Sequence, residues 1–169
     1  RVPFEGIQNF RDLGGYRTRS GGAVRWGLVF RADALHGLSG ADLALYAELG
    51  MRTVYDLRRD LEREQRPNPV ESRPLTVISE PAGGPSAVVG TATERFTVAD
   101  GEQVLLELYT GLVDHAAAQL GELFTGLAAP DGVPAVFHCH AGKDRTGIAA
   151  ALLLDVLGVD RDAVLDDYE

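Results

Sequence analysis

The sequence has one cysteine, one lysine, one methionine and one tryptophan in 169 residues. A lone cysteine excludes an internal disulfide, so it says nothing about redox compartment. No apolar run approaches the ~20 residues needed to span a bilayer. The longest, Ile148 to Val159, is interrupted by Asp155. No secretory signal is visible. A basic stripe is missing too. The formal net charge is -9, which suits neither nucleic acid nor an anionic membrane. These absences lead us to expect a soluble chain, cytoplasmic or secreted, with no nucleic-acid partner and no transmembrane segment. All but one of the 16 basic residues are arginine, and the single lysine, Lys143, lies four positions after the single cysteine, Cys139. The two scarcest reactive side chains therefore share one short stretch.

The rest of the chain reads as one domain over residues 1–169, long enough to bury a sizeable core. It opens on Arg1 and stops at Glu169 within a helical pattern, as a chain truncated at its C-terminal end would. Asn9 to Tyr16 is turn-rich, with a double glycine. Ser20-Gly21-Gly22 reads as a hairpin turn between Tyr16–Thr18 and Val24–Trp26. Gly27 to Phe30 continues as a short strand ending in Arg31-Ala32-Asp33. Ser39, with Asp42 three residues on, predicts a capped helix that stops at Gly50. Thr53 to Leu57 and Leu75 to Ile78 read as strands, with a charged stretch between them. Residues 80–99 show no pattern, and a loop of that length is often a functional lid. From Asp100 a stripe of Leu105, Leu108, Leu112, Ala116, Leu120, Leu123 and Leu127 predicts a helix. Ala135 to Cys139 is a buried-type strand, a helix runs from about Arg145 to Gly158, and Asp160 caps a third. Strands alternating with helices indicate an α/β domain: a central, mostly parallel sheet flanked by helices.

The informative stretch is His138-Cys139-His140-Ala141-Gly142-Lys143-Asp144-Arg145-Thr146-Gly147, set between a strand and a helix. Five residues between Cys139 and Arg145 can curl so that their N–H groups converge on an anion. The helix start adds unpaired N–H groups and a favourable dipole. Gly142 permits close backbone approach. Arg145 can grip two oxygens with its planar fork. The phosphate-binding set is His140, Ala141, Gly142, Lys143, Asp144 and Arg145. Such surroundings favour a thiolate, so Cys139 can attack phosphorus and form a covalent intermediate. His138 orders the loop through a backbone hydrogen bond, and Thr146 is placed to bond the sulfur. Neighbours on a strand point to opposite faces, so His138, Cys139 and His140 can hardly ligate one ion. No metal or other cofactor is called for.

The stretch resembles the phosphate-binding loop of the cysteine-based protein tyrosine phosphatase superfamily: His-Cys, five residues, Arg, Ser or Thr, Gly. With Gly-Lys-Asp-Arg-Thr-Gly it is similar to a bacterial branch that includes secreted mycobacterial and lipid-phosphatase-like enzymes. Asn9 to Tyr16, Val54 to Arg58 and Leu152 to Tyr168 resemble that branch as well. The resemblance implies a protein tyrosine phosphatase-like fold. It also implies phosphomonoester hydrolysis through a phosphocysteine. As partner it implies a phosphotyrosine protein, with dual specificity, or a phosphorylated lipid or small molecule such as a phosphoinositide. A non-catalytic phosphate-binding module is the alternative from another class, and a rhodanese-type sulfur-transfer protein is disfavoured by the Arg-Thr-Gly helix start.

One feature of the better-known members is missing. Trp26 is followed by Gly27, so there is no Trp-Pro-Asp loop to carry a general acid. Asp144, inside the loop, and Asp56, at the end of a strand expected to run parallel to the catalytic one, are the two candidates.

Overall fold

The computed structural model describes residues 1–75 and 98–168. Five strands form one sheet: β1 (Arg11–Asp12), β2 (Val29–Ala32), β3 (Thr53–Asp56), β4 (Arg73–Pro74) and β5 (Ala135–His138), in the order β1-β2-β5-β3-β4. All neighbours are parallel except β1 and β2. The helices are α1 (Gly40–Glu48), α2 (Asp60–Gln65), α3 (Val98–Ala128), α4 (Asp144–Val156) and α5 (Arg161–Tyr168), with a 3-10 turn at Leu35–Gly37. This is the mixed α/β architecture, with a mostly parallel central sheet, that the alternation of patterns predicts.

The central strand explains the layering. All four residues of β5 are buried, as in a strand covered on both faces. Side chains alternate across it. Phe137 joins Tyr55, Leu123, Ala149 and Leu154 in the core beneath α3 and α4. Val136 joins Phe10, Phe30, Leu35, Tyr46 and Val54 on the opposite face, under the N-terminal segment and α1. Along α3, Ala116, Leu120, Leu123 and Leu127 are buried. The side chains of Leu105, Leu108 and Leu112 lie outside those described.

Local chemistry places the other elements. Ser39 Oγ accepts from Asp42 N while Asp42 Oδ2 accepts from Ser39 N, the reciprocal cap expected for α1. The same Asp42 carboxylate accepts from the N–H groups of Glu5 and Gly6 at 2.8 and 2.9 Å, which ties the N-terminal segment to α1. Gly50 ends that region at φ +61°, a conformation that costs glycine little.

Some readings need correction. The hairpin around Gly21 forms only an isolated bridge, Arg17 to Ala23, too short for a ladder. A two-residue strand at Arg11–Asp12 appears where only turns were expected. The charged stretch contains α2. The strand expected at Leu75–Ile78 pairs two residues earlier, as β4, and its residues 76–78 lie outside the described ones. So does the expected lid, except for residues 98–99, which open α3.

The register matters most for function. Ala32 of β2 and Asp56 of β3 both lie opposite His138 of β5. The three strands thus end level, and Asp33, Leu57 and Cys139 follow at one edge. Carboxyl ends of parallel strands are where such sheets carry their sites. Leu123 is fully buried in the core that seats α3. Leu123→Ala is therefore expected to lower stability by about 2–5 kcal/mol in urea unfolding, and a change under ~1 kcal/mol would show that α3 is not seated on the sheet as described.

Candidate active site

Between β5 and α4 the chain turns through residues 139–143. His140, Ala141 and Lys143 are exposed while Gly142 is buried. Gly142 has φ +68° and packs against the backbone after β2: a Cβ there would lie 2.6 Å from the Ala32 carbonyl oxygen. Only glycine fits. Its own carbonyl accepts from Arg31 Nη2 at 2.9 Å and from Asn9 Nδ2 at 3.2 Å. The His140 carbonyl accepts from Ala34 N at 3.0 Å. With two carbonyls drawn outward, the loop's outer face is pinned to β2 and the N-terminal segment.

Arg31 and Asn9 are themselves held. Asp33 accepts from the N–H groups of Gln8 and Asn9. Asp167 of α5 accepts from Arg31 Nη1 at 2.5 Å, from Arg11 Nε at 3.2 Å and from Tyr16 Oη at 2.9 Å. Asp12 accepts from Gly14 N and Gly27 N, each at 2.7 Å. The Asn-Phe-Arg-Asp motif is thus a scaffold beneath the loop. Beside the loop is an open cleft of about 600 Å³ whose lining includes Arg11, Asp33, Ala141, Lys143 and Tyr168.

Cys139 ends the central strand and is 3 % exposed. His138 Nδ1 lies 3.0 Å from the Cys139 carbonyl oxygen. A carbonyl only accepts, so Nδ1 carries the proton and Nε2 is left to accept. Asn68 Nδ2 sits 3.0 Å from that Nε2 and also donates to Asp56 Oδ2 at 3.0 Å. Burial lowers the His138 pKa, which keeps the ring in this neutral form. The backbone bond expected of His138 therefore sits on a buried polar chain.

Asp56 belongs to that chain. Its carboxylate is fully buried and accepts from Arg58 Nε at 2.8 Å and Arg58 Nη2 at 2.6 Å. Burial would raise its pKa, but the bonds from Arg58 and the nearby His138 outweigh burial and lower it. Asp56 lies at the expected sheet edge, enclosed and ion-paired with Arg58. Arg58 is likewise buried, and its Nη1 donates to the Arg66 carbonyl at 2.8 Å.

Arg145 lies in the first turn of α4. Its Nη1 and Nη2 donate to Glu62 Oε2 and Oε1 at 2.8 and 2.9 Å, and Nη1 also reaches the Leu57 carbonyl at 3.3 Å. A guanidinium has five N–H donors. Nε–H and one Nη2–H therefore remain, together on one edge, without a partner among the described residues. Such an edge has the geometry to hold two oxygens of a tetrahedral anion. Glu62 orients the fork. Sequence reasoning missed it because α2 looked like an unstructured charged stretch. Burial pushes Glu62 up, but the bonds from Arg145 and from Arg59 N hold it at about 2.

Asp144 opens α4, and its Oδ1 accepts from Tyr109 Oη at 2.7 Å. Thr146 is buried, but its hydroxyl makes no hydrogen bond among the described residues. The bond to the Cys139 sulfur expected from the sequence is not formed: the side chain is enclosed in the first turn with no partner in reach.

A cysteine following the central strand, an arginine in the first turn of the next helix and a five-residue stretch between them are the arrangement that the sequence motif predicts. The sequence model of the tyrosine phosphatase family matches residues 2–169, and the chain belongs to that family. A tyrosine-protein phosphatase of Cupriavidus necator is 35% identical over 99% of this chain and 61% of its own length. The triple specificity protein phosphatase PtpB of Mycobacterium tuberculosis is 32% identical over 96% of this chain and 66% of its own. The chain thus spans under two thirds of these relatives. The crystal structure of P. aeruginosa TpbA aligns with 86% of this chain and 70% of its own at 21% identity, with a TM-score of 0.41.

The Glu62–Arg145 pair carries its own pH signature. The Glu62 pKa falls from 4.5 to about 2 on folding. Its contribution to stability is complete above about 4.5 and is lost as pH falls through about 2. Urea unfolding of the wild type and of Glu62→Gln should differ at neutral pH, and that difference should close over the same window. A difference independent of pH would show that the charge of Glu62 is not what holds Arg145.

Proposed function

We propose that this chain hydrolyses phosphomonoesters through a phosphocysteine on Cys139, with phosphotyrosine in proteins as the first substrate class. The observation that carries this reading is Arg145. Its fork has a free edge and is held at the rim of a turn that begins at the buried Cys139. Membership of the tyrosine phosphatase family supports the same chemistry.

In the first step the Cys139 sulfur attacks phosphorus as the ester P–O bond breaks. Arg145 and the loop N–H groups stabilise charge on the equatorial oxygens. The leaving oxygen takes a proton from Asp144. In the second step water attacks phosphorus, its proton passes to Asp144, and the S–P bond breaks to release phosphate. We assign the proton to Asp144 because it lies in the loop itself and because Asp56 is enclosed. Asp56 instead positions Asn68 and His138 beneath Cys139. No bound metal is required by these steps.

Broader specificity, including phosphoserine and phosphothreonine, is supported by the relative named as a triple specificity phosphatase. A second reading, phosphoinositide hydrolysis, is favoured by one observation: Lys143 lines the open cleft beside the loop, where it adds a cation for a polyanionic headgroup. A panel of phosphopeptides and phosphoinositides separates the two.

Cys139→Ser should retain phosphate binding and lose turnover. Arg145→Lys keeps the charge but loses the fork, so turnover should fall by about 10²–10³-fold. Asp144→Asn should slow a phosphopeptide far more than a nitrophenyl phosphate, whose leaving group needs no proton. Phosphate binding without any turnover by the wild type would establish a non-catalytic module. Full activity of Asp144→Asn on both substrates would remove Asp144 from the mechanism.

A further inference from the structure

Behind Asp144 stand two phenols from different helices. Tyr168 Oη of α5 donates to Tyr109 Oη of α3 at 2.9 Å, and Tyr109 Oη donates to Asp144 Oδ1 at 2.7 Å. The two rings meet edge to face, with centroids 6.4 Å apart and planes at 78°. The ring of Tyr168 also lies against the start of α4, where a Cβ on Gly147 would come within 2.5 Å of its Cε2. Side chains from α3, α4 and α5 thus meet in one hydrogen-bonded chain.

The direction of this chain is set by valence. An ionised carboxylate only accepts, so the Tyr109 proton must point to Asp144, and the Tyr109 oxygen is then free to accept from Tyr168. Burial, then the bonds to Tyr168 and Asp144, raise the Tyr109 pKa, so the phenol keeps its proton. Among the described residues Asp144 Oδ2 receives no hydrogen bond. One oxygen is therefore anchored and the other left to exchange a proton. Among the described residues, Lys143 and Arg145 flank Asp144 in the chain, and Glu62 and Cys139 act on Arg145. Among the described residues, Tyr109 is the side chain that donates a hydrogen bond to this carboxylate.

We propose that Tyr109, backed by Tyr168, is a positioning residue for Asp144: the Tyr168–Tyr109–Asp144 chain fixes the carboxylate's orientation and presents Oδ2 to the reacting oxygen. This rests on the assignment of proton transfer to Asp144. Removing the Tyr109 hydroxyl should therefore weaken proton delivery to the leaving oxygen, and weaken it most where the leaving group is poor.

The test is kcat and KM on a phosphopeptide and on a nitrophenyl phosphate for the wild type, Asp144→Asn, Tyr109→Phe and Tyr168→Phe. Asp144→Asn first gives the signature of the lost acid, a fall on the phosphopeptide far larger than on the nitrophenyl ester. Tyr109→Phe, which keeps the ring, should show the same signature in smaller measure. Its kcat on the phosphopeptide should fall roughly tenfold with KM little changed, since proton transfer contributes about 10²–10⁴-fold in all, while the nitrophenyl ester is little affected. Tyr168→Phe should fall in the same way by less. Equal loss on both substrates in Tyr109→Phe, or loss of stability alone, would overturn the proposal and leave a packing role. So would unchanged kinetics in both tyrosine variants. Should Asp144→Asn show no leaving-group dependence, the assignment of Asp144 itself falls, and the positioning role falls with it.

Discussion

The Gly142 carbonyl, taken by Arg31 and Asn9, is the contact on which the rest of the site depends. A loop that directs its N–H groups inward must direct carbonyls outward, and a buried carbonyl left without a donor costs about 1–3 kcal/mol. Arg31 supplies that donor from β2, and Asn9 supplies a second from the N-terminal segment. Because Arg31 is itself buried, it needs Asp167, and Asp167 brings in α5 together with Arg11 and Tyr16. One carbonyl thereby recruits both ends of the described chain. The turn that makes it possible is Gly142, where any side chain would strike the backbone after β2.

The same logic explains how an acidic chain assembles a site for an anion. The arginines close to the loop are matched: Arg31 with Asp167, Arg58 with Asp56, Arg145 with Glu62. Buried ion pairs add little net stability, because desolvation offsets their attraction, but removing one partner costs about 3–5 kcal/mol. Their effect here is geometric. Glu62 takes the end of the Arg145 guanidinium and leaves its side edge open, so the cation is oriented and still has donors to offer. Lys143, exposed on the loop and lining the adjoining cleft, is the cation that the surrounding scaffold leaves toward solvent.

Much of this was legible because it is local. The spacing from Cys139 to Arg145 and the reciprocal cap at Ser39 are properties of neighbouring residues, and so is the glycine demanded at position 142. Each survives whatever the rest of the chain does. The strand ending at Asp56 was legible for the same reason, and so was the sheet edge at which it emerges. What lay beyond reach was direction and partnership. A strand end does not reveal whether its last side chain turns toward the loop or into the core, and Arg58, Asn68 and His138 close over Asp56. Glu62 was hidden because a short charged helix has no apolar stripe to announce it; its meaning comes from Arg145, eighty-three positions away. Thr146 shows the reverse failure, since its place in the first turn was legible but its missing partner was not.

Asp56 and Asp144 show why position alone cannot assign an acid. Both lie at the carboxyl edge of the sheet, within reach of cations. Asp56 is sealed among groups that hold it ionised, with both oxygens engaged by Arg58. It is therefore a fixed charge, suited to orienting neighbours. Asp144 is half-buried, with one oxygen anchored by a neutral phenol. A neutral donor fixes the group without cancelling its ability to change charge, whereas a bidentate guanidinium opposes any protonation. In the proposed mechanism Asp56 is therefore a fixed charge and Asp144 the group that exchanges a proton, a division that rests on what stands behind each carboxylate rather than on its distance from the loop.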